Sequence, residues 1–224
     1  MWKSWTLALA ACIGLLGATS LAHASVLVPG QTVAPVSKDG TFGAPNVASV
    51  GPLPFAFVGT GGPVTGTYRE FVSAGRTGNP FGGLSFEYQF IVNATSTQTV
   101  SGFSAGGFAG WLTNVTFAPG GMIAPYAASR TPNGDSIEYL MAGTLARPGG
   151  TSMWLIVDTN APSFQPDTVS LEGDGGSTGS FAALGAAPPP QVPEPATLTL
   201  ALVGLSLGAG FGYRRLRRPK LAGM

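Results

Sequence analysis

The chain has 224 residues, enough for one domain together with targeting segments. Only 9% of them are charged, 44% are hydrophobic, and glycine and proline number 34 and 19. This composition excludes a disordered, highly charged chain and is typical of many short strands joined by turns. Residues 25–191 hold five basic and nine acidic side chains, a net charge of −4, which argues against nucleic acid as a partner.

Residues 1–24 have the pattern of a secretory signal peptide. Lys3 lies near the start, an apolar run follows, and Ala22 and Ala24 form an A-x-A cleavage site. The Leu-Ala-Ala-Cys sequence that ends at Cys12 resembles a lipobox, but cleavage there would leave too short an apolar run before the cut. We expect cleavage after Ala24, which leaves the mature protein without cysteine or histidine.

Residues 25–181 are predicted to form the body of the protein, an all-β fold of the antiparallel β-sandwich type. Turn signals recur every ten to fifteen residues, as roughly expected for such sandwiches, and no long helical periodicity is present. The continuous apolar run at 153–157 predicts a central strand covered on both faces. The predicted strands are 49–50, 55–58, 65–72, 84–92, 100–103, 112–117, 137–141, 153–158 and 168–171.

The clearest strand signal is the alternation over residues 84–92. It predicts that Phe86, Tyr88 and Phe90 are buried together and that Glu87 and Gln89 are exposed. The turn-rich residues 75–80 precede it, so a hairpin with the preceding strand is expected.

Three patterns in the body could carry chemistry, and each has a structural alternative. Ser104 lies in a G-x-S-x-G sequence, which in hydrolases needs a histidine base and a strand-to-helix turn. The nine carboxylates leave glycosidase chemistry formally open, with solvated turns as the alternative. Residues 158–160 and 172–176 could supply oxygen ligands to calcium, but neither segment has EF-hand spacing and a glycine-rich turn is the favoured interpretation. We therefore predict no catalytic residue, metal site or cofactor.

The C-terminal part of the chain predicts a linker and a membrane segment. Residues 182–191 are rich in proline and alanine, which favours an extended spacer. The uncharged residues 196–213 would reach roughly 27 Å as a helix, close to the ~30 Å of a bilayer core. The cationic side chains that follow predict that the C-terminus stays in the cytoplasm; they are Arg214, Arg215, Arg217 and Arg218.

The predicted span and the arginines are preceded by Val192, Pro193, Glu194 and Pro195. In this order, residues 192–218 closely resemble the PEP-CTERM sorting signal. The resemblance implies recognition and cleavage by an exosortase-type membrane protease in Gram-negative bacteria that make exopolysaccharide. It implies transient anchoring in the inner membrane, then a place at the cell surface or in the extracellular matrix, associated with exopolysaccharide or biofilm. We expect a non-enzymatic role. The alternative is a secreted carbohydrate-binding or carbohydrate-active protein, which would gather two carboxylates with Trp111 or Trp154.

Overall fold

A computed structural model describes residues 25–38, 45–141 and 149–190. Within these residues the chain forms strands and no helix, which confirms the predicted all-β class. The strands are β1 (Ser25–Val26), β2 (Thr32–Val33), β3 (Val36–Ser37), β4 (Asn46–Gly59), β5 (Gly62–Ala74), β6 (Leu84–Val92), β7 (Val100–Ala105), β8 (Thr113–Ala118), β9 (Pro125–Arg130), β10 (Ile137–Met141), β11 (Trp154–Thr159), β12 (Phe164–Gly173) and β13 (Ser177–Ala186).

The strands form two sheets, and the core lies between them. The first sheet has the order β1-β8-β11-β6-β5-β4, with β3 also paired to β8 in parallel. The second sheet has the order β13-β12-β7-β10-β9-β2. All the other strand pairs described are antiparallel.

The predicted core strand is found with the predicted bounds. Phe86, Tyr88 and Phe90 of β6 are each fully buried on the inner face of the first sheet. Phe103 of the second sheet packs against them, with ring centroids 5.0 Å from Tyr88 and 6.4 Å from Phe90. Strand β5 pairs directly with β6, so the predicted hairpin is confirmed.

The other face of β6 contradicts the prediction. Glu87 is 2% exposed and Gln89 is 0% exposed, although both were expected to face solvent. Gln89 donates hydrogen bonds to the carbonyls of Gly120 and Ser152, at 2.8 and 2.9 Å, and accepts from Arg69. Polar groups from distant segments therefore replace water around these side chains, which period-2 alternation cannot reveal.

The other strands follow the predictions in part. Strand β10 has its predicted bounds, and β5, β7, β8, β11 and β12 overlap theirs. Residues Trp154–Thr159 are buried throughout, as expected for a strand between β8 and β6. The two short strands predicted at 49–50 and 55–58 are one strand, β4, with an irregularity between Val50 and Leu53.

Strands β9 and β13, of six and ten residues, were not predicted, and neither were the two-residue strands β1, β2 and β3. Strand β9 carries mainly small side chains, and β13 continues to Ala186, inside the segment that the sequence predicts to be a linker. Strand β13 pairs with β12 along its whole length and forms an edge of the second sheet.

Candidate functional site

The predicted sorting and processing residues all lie outside the described residues. This holds for the signal peptidase site at Ala22 and Ala24 and for the predicted membrane span 196–213. It holds equally for the motif Val192, Pro193, Glu194 and Pro195 and for Arg214, Arg215, Arg217 and Arg218. Among the described residues, no helix is long and apolar enough to cross a membrane.

The end of the body is attached to a turn between β7 and β8. The indole Nε1 of Trp111 donates a hydrogen bond to the carbonyl of Ala187 at 2.8 Å. The Ala187 amide donates to the carbonyl of Ser163 at 3.0 Å. Gly110, with φ +80°, lies so close to Pro189 that a Cβ there would be 2.8 Å from its ring. The chain therefore leaves the body at a fixed point beside Trp111.

Arg130 connects this turn to the N-terminal segment, just after β1. Its guanidinium donates to the carbonyls of Gly134, Leu27, Phe108 and Trp111 at 2.9, 3.0, 2.7 and 2.9 Å. The side chain is only 5% exposed, and no described carboxylate lies within salt-bridge distance of it. Nothing in the sequence pattern singles out this arginine, since its partners are all backbone atoms.

Two carboxylates meet on the outer face of the first sheet. Asp158 Oδ1 lies 3.0 Å from Arg76 Nη1 and accepts from Ser85 at 2.7 Å. Asp158 Oδ2 accepts from Asn114 Nδ2 at 3.0 Å. Asp158 is fully buried and both of its carboxylate oxygens accept hydrogen bonds, so its role is to stabilise the fold.

Glu87 is the second carboxylate of this group. Its Oε1 accepts from Ser73 at 2.8 Å and lies 3.6 Å from Arg76 Nε. Burial raises the pKa of Glu87, and Ser73 and Arg76 oppose that rise. Trp154 lies on the same face, where its ring packs 5.3 Å from Phe71 and beneath the Arg69 guanidinium at 4.9 Å.

Ser104 lies in the middle of β7, on the outer face of the second sheet. It is opposite Glu138 of β10 and Ser170 of β12. The residues after it are not helical, so the strand-to-helix turn that a nucleophile elbow needs is not formed here.

A shallow depression of about 50 Å³ lies beside Ser104, above Gly102. A Cβ on Gly102 would lie 3.2 Å from Glu172 Oε2 and 3.6 Å from Glu138 Oε1, so the two carboxylates approach each other over the glycine. Sites that enclose small ligands usually measure roughly 300–1,000 Å³, so this depression can contact a ligand but cannot enclose one.

Several of the oxygen atoms considered as calcium ligands are engaged elsewhere. Thr159 Oγ1 donates to the carbonyl of Leu84, and Asn160 Oδ1 accepts from the amide of Leu112, both at 2.9 Å. Asp174, in the turn between β12 and β13, accepts from Thr99. The described part of the chain contains no group of three or more histidine, cysteine or acidic residues arranged to hold a metal ion.

Comparison with known families confirms the resemblance at the C-terminus. The family model of the PEP-CTERM protein-sorting motif matches residues 191–218, which include the predicted motif, the predicted span and the arginine cluster. No curated protein and no solved structure matches the chain. The motif implies an exported protein that exosortase, a membrane protein, processes and sorts to the cell surface.

Proposed function

We propose that the protein is a non-enzymatic component of the cell surface or extracellular matrix, associated with exopolysaccharide, whose folded body is delivered by cleavage at its PEP motif. The observation that carries the proposal is the PEP-CTERM match at residues 191–218. The β-rich body, with strands up to Ala186, precedes this signal in the chain. The signal therefore has a folded cargo to deliver.

The proposed mechanism follows from the physical properties of the tail. The uncharged span 196–213 holds the chain in the inner membrane, and the arginines that follow keep the C-terminus in the cytoplasm. Pro193 and Pro195 each lack an N–H and fix φ, so the motif does not continue the helix below it. An extended segment held at the outer membrane–water boundary is accessible to a protease embedded in the same membrane.

The test is to change Pro193, Glu194 and Pro195 together to alanine. We expect the full-length chain to accumulate in the inner membrane, still carrying a tag placed after Met224, while the parent protein loses the tag. Fractionation with antibodies to the body and to the tag measures this. The matched control replaces Pro188 and Pro190, just before the motif, and is expected to be trimmed like the parent. Normal trimming of the triple variant would show that the triad is not the signal.

The environment of the carboxylates supports a non-enzymatic body. Asp158 and Glu87 are buried and bonded to neighbours, and Ser104 lies in a strand in a chain whose single histidine is His23. A serine nucleophile needs a base to accept its proton. We therefore expect no labelling of the exported protein by a fluorophosphonate probe. Labelling that disappears in Ser104→Ala would refute this expectation.

One observation favours the alternative, a carbohydrate-binding protein. Glu138 and Glu172 flank the depression at Gly102, and carboxylates can accept hydrogen bonds from sugar hydroxyls. The expected aromatic partner is missing from this arrangement, since Trp111 is bonded to Ala187 and Trp154 packs on the first sheet. Affinity electrophoresis in polysaccharide gels distinguishes the proposed role from this alternative. If the polysaccharide slows migration of the parent protein and the double variant Glu138→Gln with Glu172→Gln abolishes this effect, the alternative is favoured.

A further inference from the structure

Glu70 is a carboxylic acid in the interior of the sandwich. It lies on β5, on the same inward face as Tyr68 and Val72, and it is 0% exposed. None of the described lysine or arginine side chains lies within salt-bridge distance of it. A buried ionised carboxylate without a cation is costly, so this position is unusual for a residue with only a packing role.

Glu70 links the two sheets through one of its oxygens. Its Oε2 accepts a hydrogen bond from Tyr68 Oη at 2.9 Å and another from the backbone amide of Leu184 at 3.0 Å. Leu184 belongs to β13, and β13 is an edge strand whose outward amides have no strand partner in the second sheet. Glu70 therefore takes the place of a neighbouring strand at this point of β13.

The second oxygen of Glu70 and its cross-strand neighbour are both without partners. Glu70 Oε1 and Tyr88 Oη are buried and make no hydrogen bond, and Glu70 pairs with Tyr88 in the register of β5 and β6. A neutral carboxylic acid resolves this arrangement. Its carbonyl oxygen, Oε2, accepts both existing hydrogen bonds, and its protonated Oε1 becomes a donor for which the unpartnered Tyr88 hydroxyl on the neighbouring strand is a candidate acceptor.

The surroundings favour this neutral form. Burial, the largest effect, raises the pKa of Glu70 from 4.5 to about 7, and the nearby charge of Asp167 on β12 acts in the same direction. The hydrogen bonds from Leu184 and Tyr68 act in the opposite direction but do not cancel the rise. The titratable groups around Glu70 are thus Tyr68 on its own strand, Tyr88 on β6 and Asp167 on β12, and none of them supplies a positive charge.

We propose that Glu70 is a proton-controlled latch between the sheets: its neutral carboxyl group holds β13 against β5, and its ionisation loosens β13. When the proton leaves, an uncompensated negative charge remains between the sheets beside Asp167. Opening this part of β13 admits water to the charge and relieves the cost. Because the raised pKa of Glu70 belongs to the folded state, its neutral carboxyl group contributes its full stabilisation below pH 4.5. This stabilisation is lost progressively between pH 4.5 and about 7, and stability no longer changes with Glu70 at higher pH.

Hydrogen exchange at the Leu184 amide of the full-length chain in detergent tests the proposal. After correction for intrinsic exchange, we expect the equilibrium constant for opening to be roughly tenfold larger at pH 8 than at pH 6, because the open state ionises with an ordinary pKa. In Glu70→Gln, which keeps an oxygen acceptor but cannot ionise, this pH dependence should disappear. Glu138→Gln, the same change on the outer face of the second sheet, should retain it.

A second measurement uses the unaltered protein, so that the proposal is tested even if Glu70→Gln folds poorly. The infrared C=O stretch of a protonated carboxyl group should disappear with a midpoint near 7 as the pH rises. Glu87, whose pKa is also raised, is separated from Glu70 by repeating the titration in Glu87→Gln. An opening equilibrium at Leu184 that, after correction for intrinsic exchange, does not depend on pH, or depends equally on pH in Glu70→Gln, would overturn the proposal.

Discussion

Arg130 shows how one side chain can connect several segments by backbone contacts alone. Its four carbonyl partners belong to the N-terminal strand region, the turn before β8 and the turn before β10. We expect Arg130→Met to lower the free energy of unfolding by about 3–5 kcal/mol, because it leaves several buried acceptors without donors. Chemical denaturation followed by tryptophan fluorescence measures the change.

The comparison for this prediction is Arg130→Lys. Lysine keeps the charge and three donors but cannot reproduce the planar guanidinium fork, so its midpoint should fall between those of the parent and Arg130→Met. If both variants unfold at the parent's denaturant concentration, the four hydrogen bonds contribute nothing to stability and the interpretation of Arg130 is wrong.

At the residue scale, sequence patterns identify apolar positions better than polar ones. The alternation over residues 84–92 is enough to place Phe86 and Phe90 on the core face, and both are buried. The burial of Glu87 and Gln89 depends on Ser73, Arg76 and the Gly120 carbonyl, which come from other segments. Glu70 interrupts an apolar face, and that interruption is the one signal by which the sequence could have indicated it.

At the element scale, β6 is the strand on which the core depends most clearly. Phe90 is fully buried and stacks on Phe103 of the opposite sheet, so Phe90→Ala removes contacts to both sheets. We expect a loss of about 3–5 kcal/mol, a large part of the roughly 5–15 kcal/mol that stabilises a typical domain. The drop in denaturation midpoint measures it.

The neighbouring residue provides the control for this strand. Ile91 points to the other face and is 36% exposed, so Ile91→Ala should cost much less than Phe90→Ala. Equal losses for the two variants would mean that the strand does not pack against the second sheet as described.

The strands that sequence reasoning missed lack local signals. Strand β9 is composed largely of alanine and serine, and β13 of glycine, alanine and serine. Each has few of the β-branched and aromatic side chains that favour strands, Tyr126 in β9 and Thr178 and Phe181 in β13, so pairing with β10 and β12 determines their conformation. Such non-local pairing is visible only once the register of the neighbouring strand is known.

At the scale of the whole molecule, features that the sequence predicts lie at the C-terminus, and features that only the structure reveals lie in the body. The order of triad, span and arginines predicts the sorting signal, because each part has a fixed composition and position. The depression at Gly102 and the Glu70 contacts could not be predicted, because they join residues from strands that are far apart in the sequence. The function of the C-terminal signal can therefore be predicted from a short stretch of sequence, while the chemistry of the body depends on the fold.

The attachment of Ala187 to Trp111 determines how the body responds to a mechanical load. A force applied through the tail enters at residue 187, where the backbone is bonded to Ser163 and to the Trp111 indole. The load then passes through the Trp111 carbonyl to Arg130 and from there to the Leu27 carbonyl. We therefore expect the load to be shared among the residue before β12, the turn before β8 and the N-terminal segment, so that tension does not simply peel β13 from the sheet edge.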